Sequence, residues 1–234
     1  MRKGIRGVLF DVDDTLVNSR PAMEHALRII AGRMAEFAGS QGPEQGVQRI
    51  HAMLRELDDS MHAAFRYNRD EWWQEAARRL GKEMPADLAS RLTRDYWNIV
   101  LERSELYPDA LPTLEYLMRG GYLIGAVTDT DGTKGIKLER LRRMGLMRFF
   151  RVVVVGGEDT KGVKPDPEPF LLAAARLGLK PDECVMVGDR PHTDVRGART
   201  AGMRAIWLRR REWNAMEPCD AIIDSLNQLP EHLG

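Results

Sequence analysis

Cysteine is almost missing: Cys184 and Cys219 are the only two in 234 residues. Two thiols cannot make the multi-bridge framework that staples small secreted domains. Cys184 lies in the apolar run Cys184-Val185-Met186-Val187, where a buried free thiol is the expected state. Net charge is missing too, because 35 basic and 35 acidic residues cancel, so no bulk field gathers nucleic acid or anionic lipid. No stretch approaches the roughly 18 consecutive apolar residues of a membrane-spanning helix. The opening Met1-Arg2-Lys3-Gly4-Ile5-Arg6-Gly7 lacks the apolar segment of a secretion signal. These absences predict a cytoplasmic protein with neither nucleic acid nor membrane as a partner. Lysine is scarce, 7 against 28 arginines; genome composition alone produces such a bias, but it makes a lysine in a telling place more informative.

What is present is an ordinary globular balance, 43% hydrophobic and 30% charged, in a chain long enough for one large domain or two modest ones. Its texture changes twice. Val8 to Phe10 is a short apolar run of strand type, cut off by Asp11-Val12-Asp13-Asp14-Thr15. From Ser19 to about Arg103 apolar residues fall at helical spacing instead. Met23, Ala26, Leu27, Ile30, Met34 and Phe37 form one stripe, and Val47, Ile50, Leu54, Leu57, Met61 and Phe65 another. Gly39-Ser40-Gln41-Gly42-Pro43 separates these two helices, and Gly81 with Pro85 separates two more, around Asp70 to Leu80 and Ala86 to Leu101.

After Pro108 strands and helices alternate. The helices are Asp109 to Arg119, Lys134 to Met144, Pro167 to Leu177 and Asp194 to Ala201; the strands are Leu123 to Val127, Val152 to Val155, Cys184 to Val187 and Ala205 to Leu208. That alternation predicts an α/β fold, a Rossmann-like parallel sheet wrapped by helices on both faces. The expected organisation is a core of residues 1–17 and 104–234, interrupted by an all-helical domain, 18–103, at the end of the first strand. Such an insert is too long to be a loop.

Ligands of open parallel sheets bind beyond the carboxyl ends of the strands. The predicted strands exit into Asp11-Val12-Asp13, Thr128-Asp129 and Gly188-Asp189, and the run Val152 to Val155 leads on to Lys161-Gly162-Val163-Lys164-Pro165. Asp11 and Asp13, two apart, point to one side, a like-charge pair that is costly unless a cation or proton relieves it. Carboxylates of Asp11 and Asp189 with a carbonyl and waters suit the octahedral oxygen shell of magnesium. Asp11 is then the nucleophile and Asp13 the acid and base for the leaving group, while Thr128 hydrogen-bonds a phosphoryl oxygen and Lys164 supplies positive charge.

Asp11-Val12-Asp13-Asp14-Thr15-Leu16, Val127-Thr128-Asp129, Lys164-Pro165-Asp166-Pro167 with Phe170, and Gly188-Asp189 with Asp194 together resemble the four ordered motifs of the haloacid dehalogenase superfamily. The insert is similar to the helical cap of its phosphoglycolate-phosphatase-like members. The resemblance implies a Rossmann-like core with a mobile cap and a Mg2+-dependent phosphatase acting on a small phosphorylated metabolite. It implies Asp11 as nucleophile, and Asp13 as acid and base with its main-chain carbonyl on the metal. Thr128, Asp129 and Lys164 fall to the phosphoryl group, Asp189 to the metal, and Asp194 to the outer metal shell or direct ligation. Asp13 argues for phosphoryl transfer, because halide needs no protonation. Arg190 after Asp189 and the longer loop Asp131-Gly132-Thr133 depart from the family pattern.

Taken singly, an Asp-x-Asp is usually a solvated turn; the ordered set is what is specific. His192 reads as an exposed loop residue, the pair Trp72-Trp73 as divided between core and edge, and Arg209-Arg210-Arg211 as a solvated strand exit. The alternatives are a phosphomutase or phosphotransferase using the same chemistry, a receiver-type phosphoacceptor module, and a non-catalytic interaction protein.

Overall fold

The computed structural model describes residues 4–39, 43–213 and 217–233. Strands β1 (Gly7–Phe10), β2 (Val17–Asn18), β3 (Glu105–Leu106), β4 (Leu123–Asp129), β5 (Val152–Gly156), β6 (Cys184–Gly188), β7 (Arg204–Leu208) and β8 (Ala221–Ile223) alternate with helices α1 (Arg20–Ala38), α2 (Pro43–Ala63), α3 (Arg69–Arg79), α4 (Ala86–Arg103), α5 (Ala110–Arg119), α6 (Ile136–Arg143), α7 (Glu168–Leu177) and α8 (Arg196–Thr200). The chain divides into two compact units. One takes Met1–Asn18, Glu105–Thr130 and Lys137–Gly234; the other takes Ser19–Ser104 and Asp131–Ile136.

The first unit is a Rossmann-like α/β fold built on one six-stranded parallel sheet, in the order β5-β4-β1-β6-β7-β8. Its strands are apolar without interruption because both faces are covered. Val8, Phe10, Ile124, Ala126, Val185, Val187, Ile206 and Leu208 pack into one cluster, while Leu9, Val127, Cys184, Met186, Ala205 and Trp207 join the cluster on the opposite face. The register makes this alternation coherent, since Val8 pairs with both Ile124 and Val185, and Val187 with Ile206. Strand order reverses at β1: the chain runs outward through β4 and β5 on one side, then through β6, β7 and β8 on the other. The carboxyl end of β1 is therefore the switch point at which such sheets open a crevice.

Several boundaries differ from the expectations. β4 runs on through Thr128 and Asp129, and β6 includes Gly188, because strand pairing continues to Asp129↔Gly156 and Gly188↔Trp207. The segment expected as a helix from Asp194 starts as a turn of π-helix, Pro191–Val195, before α8. β8 and the small β2–β3 pair had no sequence signal, being two or three residues long. Arg210 is not a solvated strand exit. It is held by Asp109 at 2.6 Å, donates to the Thr15 carbonyl at 3.2 Å and lies 3.9 Å over the Tyr107 ring. Asp109, expected as the first residue of a helix, stands at the N-cap of α5, and its side chain accepts from Ser225 and the Leu226 N–H, which ties the C-terminal segment to the start of α5.

The second unit is four helices around a core of its own, with the Asp131–Ile136 segment added to the expected 18–103. Gly132 explains that addition: at φ +83° it backs onto residue 67, where a Cβ would stand 1.8 Å from the Tyr67 carbonyl oxygen. Phe65 is not in the core stripe. α2 ends at Ala63, and Phe65, at φ +54°, is 51% exposed. Both Trp72 and Trp73 are core, each only 1% exposed, rather than divided between core and edge. Their neighbour Arg69 is a buried guanidinium 4.1 Å from the Trp72 ring centre and 4.0 Å from that of Tyr96, paired with Asp58 at 3.1 Å. No helix among the described residues is long and apolar enough to cross a membrane.

Burial alone would raise the Asp58 carboxyl, but the hydrogen bond from His62 and the Arg69 charge outweigh it and hold it down to about 2. The pair therefore contributes stability that is present above pH 3.8 and lost as pH falls toward 2. Asp58→Ala leaves a buried cation without its carboxylate. We expect a loss of about 2–3 kcal/mol in urea unfolding at neutral pH, below the roughly 3–5 kcal/mol of a fully buried pair, because Asp58 keeps 26% side-chain exposure. An unchanged unfolding midpoint would show that the aromatic cage holds Arg69 without it.

Candidate active site

β1, β4 and β6 lie side by side, so residues just beyond their ends meet. Phe10 pairs with Ala126 and with Val187, which sets Asp11 beside the strand ends carrying Thr128 and Asp189. The Asp11 N–H donates to the Val187 carbonyl at 3.0 Å, extending that register to the carboxylate itself. A tight turn follows: the N–H groups of Thr15, Leu16 and Val17 all reach the Val12 carbonyl, and buried Asp14 sits at φ +60°.

Asp11, Asp189 and Asp194 each bring a carboxylate oxygen within 4.8 Å of the other two, and all three are buried. Lys164 enters from the loop after β5. Its Nζ donates to Asp11 Oδ1 at 2.5 Å and to Asp194 Oδ1 at 2.7 Å. The second Asp194 oxygen accepts from the Arg190 N–H at 3.0 Å. Gly188 is required here, because a Cβ on it would stand 2.3 Å from Asp194 Oδ2.

Asp189 differs from its neighbours. It is 0% exposed, and neither carboxylate oxygen has a hydrogen-bond partner among the described residues. Arg211 Nε stands 3.9 Å from Oδ2, beyond hydrogen-bond reach. Two orphaned oxygens on a fully buried acid, next to two further carboxylates, fit a hard divalent cation that takes oxygen ligands. Asp11, Asp189 and Asp194 are the side chains that could hold magnesium.

The electrostatics reflect the crowding. Burial pushes Asp11 up to about 6, with Lys164 pulling it down and Asp194 and Asp13 adding to the rise. Burial, then Asp194, Asp11 and Asp14, drive Asp189 well above the ordinary carboxylate range against the Arg190 charge. For Arg190 burial acts to lower its affinity for the proton, but Asp189, Asp11 and Asp194 outweigh it.

Asp13 lies elsewhere in this arrangement. Separate basic side chains touch the two carboxylates, Lys164 on Asp11 and Lys137 with Arg140 on Asp13. Asp13 Oδ2 accepts from Lys137 Nζ at 2.5 Å and from Arg140 Nη1 at 3.2 Å, and Oδ1 accepts from Arg140 Nη2. Burial would raise Asp13, yet Arg140 and Lys137 hold it well below the usual range. Its carboxylate is thus outside the cluster, which leaves the main-chain carbonyl as the ligand atom the resemblance assigns to it.

Thr128 is buried in the last turn of pleat of β4. Asp129, expected at the phosphoryl group, has one carboxylate oxygen engaged by the Lys164 backbone. An ionised carboxylate only accepts hydrogen bonds, and Asp129 Oδ1 accepts the Lys164 N–H at 3.0 Å, so it fixes the lysine's backbone. His192 is half-buried against Trp213, ring centres 4.7 Å apart, rather than on an open loop. Sequence reasoning missed Lys137, Arg140 and the charge role of Arg190. Lys137 alone carried a signal, as one of only seven lysines.

A parallel sheet with a buried aspartate cluster at its switch point defines a class of α/β hydrolase, and the chain belongs to it: residues 5–202 match the haloacid dehalogenase-like hydrolase family. The chain is 36% identical over 214 residues to a glyceraldehyde 3-phosphate phosphatase from Methanopyrus kandleri, covering 92% of this chain and 88% of that one. It is 32% identical over 247 residues to the phosphoglycolate phosphatase of Salmonella typhimurium, covering 99% and 94%. Among solved structures, a HAD phosphatase from Thermococcus onnurineus superposes with a TM-score of 0.72 at 30% identity, covering 98% of each chain.

Proposed function

We propose that this protein is a magnesium-dependent phosphatase that hydrolyses a small phosphate monoester through an aspartyl-phosphate at Asp11. The observation that carries the reading is the convergence of Asp11, Asp189 and Asp194 within 4.8 Å, with Lys164 on Asp11. These carboxylates and the Asp13 carbonyl would hold magnesium, which when bound would supply charge neutralisation at the phosphoryl oxygens and at Asp11.

The chain's own residues do the rest. An Asp11 oxygen attacks phosphorus as the ester P–O bond breaks, and Asp13, once it has taken up a proton from solvent against the hold of Lys137 and Arg140, gives that proton to the departing alkoxide oxygen. Asp13, now a carboxylate, takes a proton from water; the hydroxide attacks phosphorus, the bond to Asp11 breaks, and inorganic phosphate leaves. Lys164 and the Thr128 hydroxyl bind the phosphoryl oxygens, placing charge and hydrogen bonds where negative charge collects. The named activities of the relatives favour phosphorylated two- and three-carbon metabolites as substrates.

The test is release of inorganic phosphate from a panel of such esters. We expect turnover with magnesium and none after chelation with EDTA. Turnover that persists in EDTA would overturn the mechanism, and phosphoryl transfer between sugar hydroxyls without net phosphate release would make the protein a mutase.

A further inference from the structure

Arg210 lies just past the end of β7, which stands two places from β1 in the sheet, and its side chain is only 12% exposed. Both prongs of its fork meet Asp109, Nη1 on Oδ2 at 3.0 Å and Nη2 on Oδ1 at 2.6 Å. Nη2 also donates to the Thr15 carbonyl at 3.2 Å, using its second N–H. The guanidinium lies 3.9 Å over the ring of Tyr107, whose own N–H donates to the Leu16 carbonyl at 2.9 Å. Asp109 is anchored in turn by Ser225 Oγ at 2.8 Å and the Leu226 N–H at 2.9 Å. Its sequence neighbour Arg209 makes an ordinary surface pair with Asp224.

The turn held in this way is the one that follows Asp11. Thr15 is fully buried, and the N–H groups of Thr15, Leu16 and Val17 all go to the Val12 carbonyl, so the buried Thr15 carbonyl takes its donor from outside the turn, in Arg210. The Thr15 hydroxyl donates to Asp11 Oδ2 at 3.4 Å while Lys164 Nζ holds Oδ1 at 2.5 Å, and the two contacts together set the plane of the Asp11 carboxylate. A hydroxyl contact of 3.4 Å stands at the outer edge of hydrogen-bond reach, so a small shift of the Thr15 backbone breaks it.

We propose that Arg210 is a positioning residue for Asp11: from a base fixed on Asp109 it holds the Thr15 carbonyl, keeps the Thr15 hydroxyl on Asp11 Oδ2, and so keeps the carboxylate aimed for attack on phosphorus. The inference rests on the phosphatase reading for Asp11's part. Arginine suits the task because its planar fork engages a carboxylate through both Nη groups and still offers an N–H to a carbonyl, a shape that the single nitrogen of lysine does not have.

The experiment uses the full chain in magnesium buffer with two readouts. One is steady-state phosphate release from p-nitrophenyl phosphate; the other is amide hydrogen exchange, by mass spectrometry, of the peptide that carries the turn after Asp11. Arg210→Met should lower kcat roughly ten- to a hundredfold, the scale for a displaced reacting group, with KM changed by less than about twofold. Exchange in the turn should quicken with it. Arg210→Lys, which keeps the charge beside Asp109 but not the fork, should regain only part of kcat. Ser225→Ala takes a hydrogen bond from Asp109 without touching Thr15, and should lower the unfolding midpoint while leaving kcat within about twofold. In a Thr15→Val background, where the hydroxyl is gone, Arg210→Lys should change kcat by less than about twofold, because the two residues act in series. Loss of kcat in Arg210→Met and Ser225→Ala alike, in step with stability, would mean a structural role and overturns the proposal. Full recovery in Arg210→Lys, or an undiminished effect of Arg210→Lys beside Thr15→Val, overturns it too. Should Arg210→Met fail to fold, Arg210→Lys carries the same comparisons. A wild type that releases no phosphate, with exchange in the turn still quickened by Arg210→Lys, sinks the phosphatase reading and upholds the grip of Arg210 on Thr15. Wild-type release that neither Arg210 variant lowers sinks the positioning role alone.

Discussion

We expect Asp11→Asn to abolish phosphate release, by roughly ten-thousand-fold or more, and to do so without unfolding the protein. The size follows from the proposed role: a variant without the proposed nucleophile loses the covalent route, and a factor of ten thousand is about 5.5 kcal/mol of barrier. Survival of the fold follows from the electrostatics. Burial already pushes Asp11 up to about 6, so a neutral amide of the same shape removes a charge that the buried site poorly tolerates. Lys164 keeps a carboxylate partner in Asp194 at 2.7 Å, so no buried cation is orphaned. The checks are steady-state phosphate release, a thermal unfolding curve within a few degrees of the wild type, and mass spectrometry of acid-quenched protein. The wild type should carry a phosphoryl group on the peptide containing residue 11, and the variant none. A variant that keeps a tenth of the activity would place the nucleophile elsewhere.

How far the molecule is legible from its sequence depends on the range of the interaction concerned. The parallel sheet is legible because β1, β4, β5 and β6 are apolar runs, each bounded by residues that halt a strand, and because α7 is closed by Gly178. The four helices of the second unit are legible through their spacing, but spacing cannot tell where a helix stops. Phe65 continues the period of its stripe after α2 has ended, and only its left-handed backbone turns it out to solvent. Edge elements such as β8 are too short to show any period.

At the candidate site, order along the chain reveals Asp11 and Asp189 because each directly follows a strand, and Lys164 and Asp194 because they lie in the segments that follow β5 and β6. It does not reveal which cation meets which carboxylate. Lys137 and Arg140 lie on α6, where Arg142 and Arg143 are exposed and pair with Glu139, and in one dimension the four look alike. Helix phase alone separates them, turning Lys137 and Arg140 to the same buried side. Asp129 similarly reads as a phosphate contact beside Thr128, whereas alternation along β4 sends the two neighbours to opposite faces and the carboxylate to the Lys164 backbone.

Asp189 supplies the second large effect, and it has opposite signs for activity and stability. Asp189→Asn should lower magnesium-dependent phosphate release by about a thousand-fold, the several kcal/mol that a cation contributes where charge develops. In EDTA the same substitution should make the protein more stable. Both oxygens of the wild-type carboxylate are buried and without hydrogen-bond partners among the described residues, while burial and the carboxylates of Asp194, Asp11 and Asp14 favour its neutral form. A folded-state value raised above the ordinary 3.8 means that this acid's contribution to stability is present below that pH and lost as pH rises through the raised value. At pH 7 the metal-free wild type therefore folds against an ionised or protonated Asp189, and either carries a cost. An amide is neutral at every pH, and its N–H groups can donate to Asp11 and Asp194, whose oxygens lie within 4.8 Å. A gain of about 1–3 kcal/mol in EDTA is the expected scale for satisfying such a group. Magnesium reverses the order, since binding to the native state alone adds about 2.7 kcal/mol at one hundred times its dissociation constant, a gain the variant forgoes. Urea unfolding of both proteins at pH 7, with EDTA and with magnesium, reads all four numbers. Should the variant be the less stable in EDTA and still gain from magnesium, Asp189 would be a structural acid and the cation would bind elsewhere.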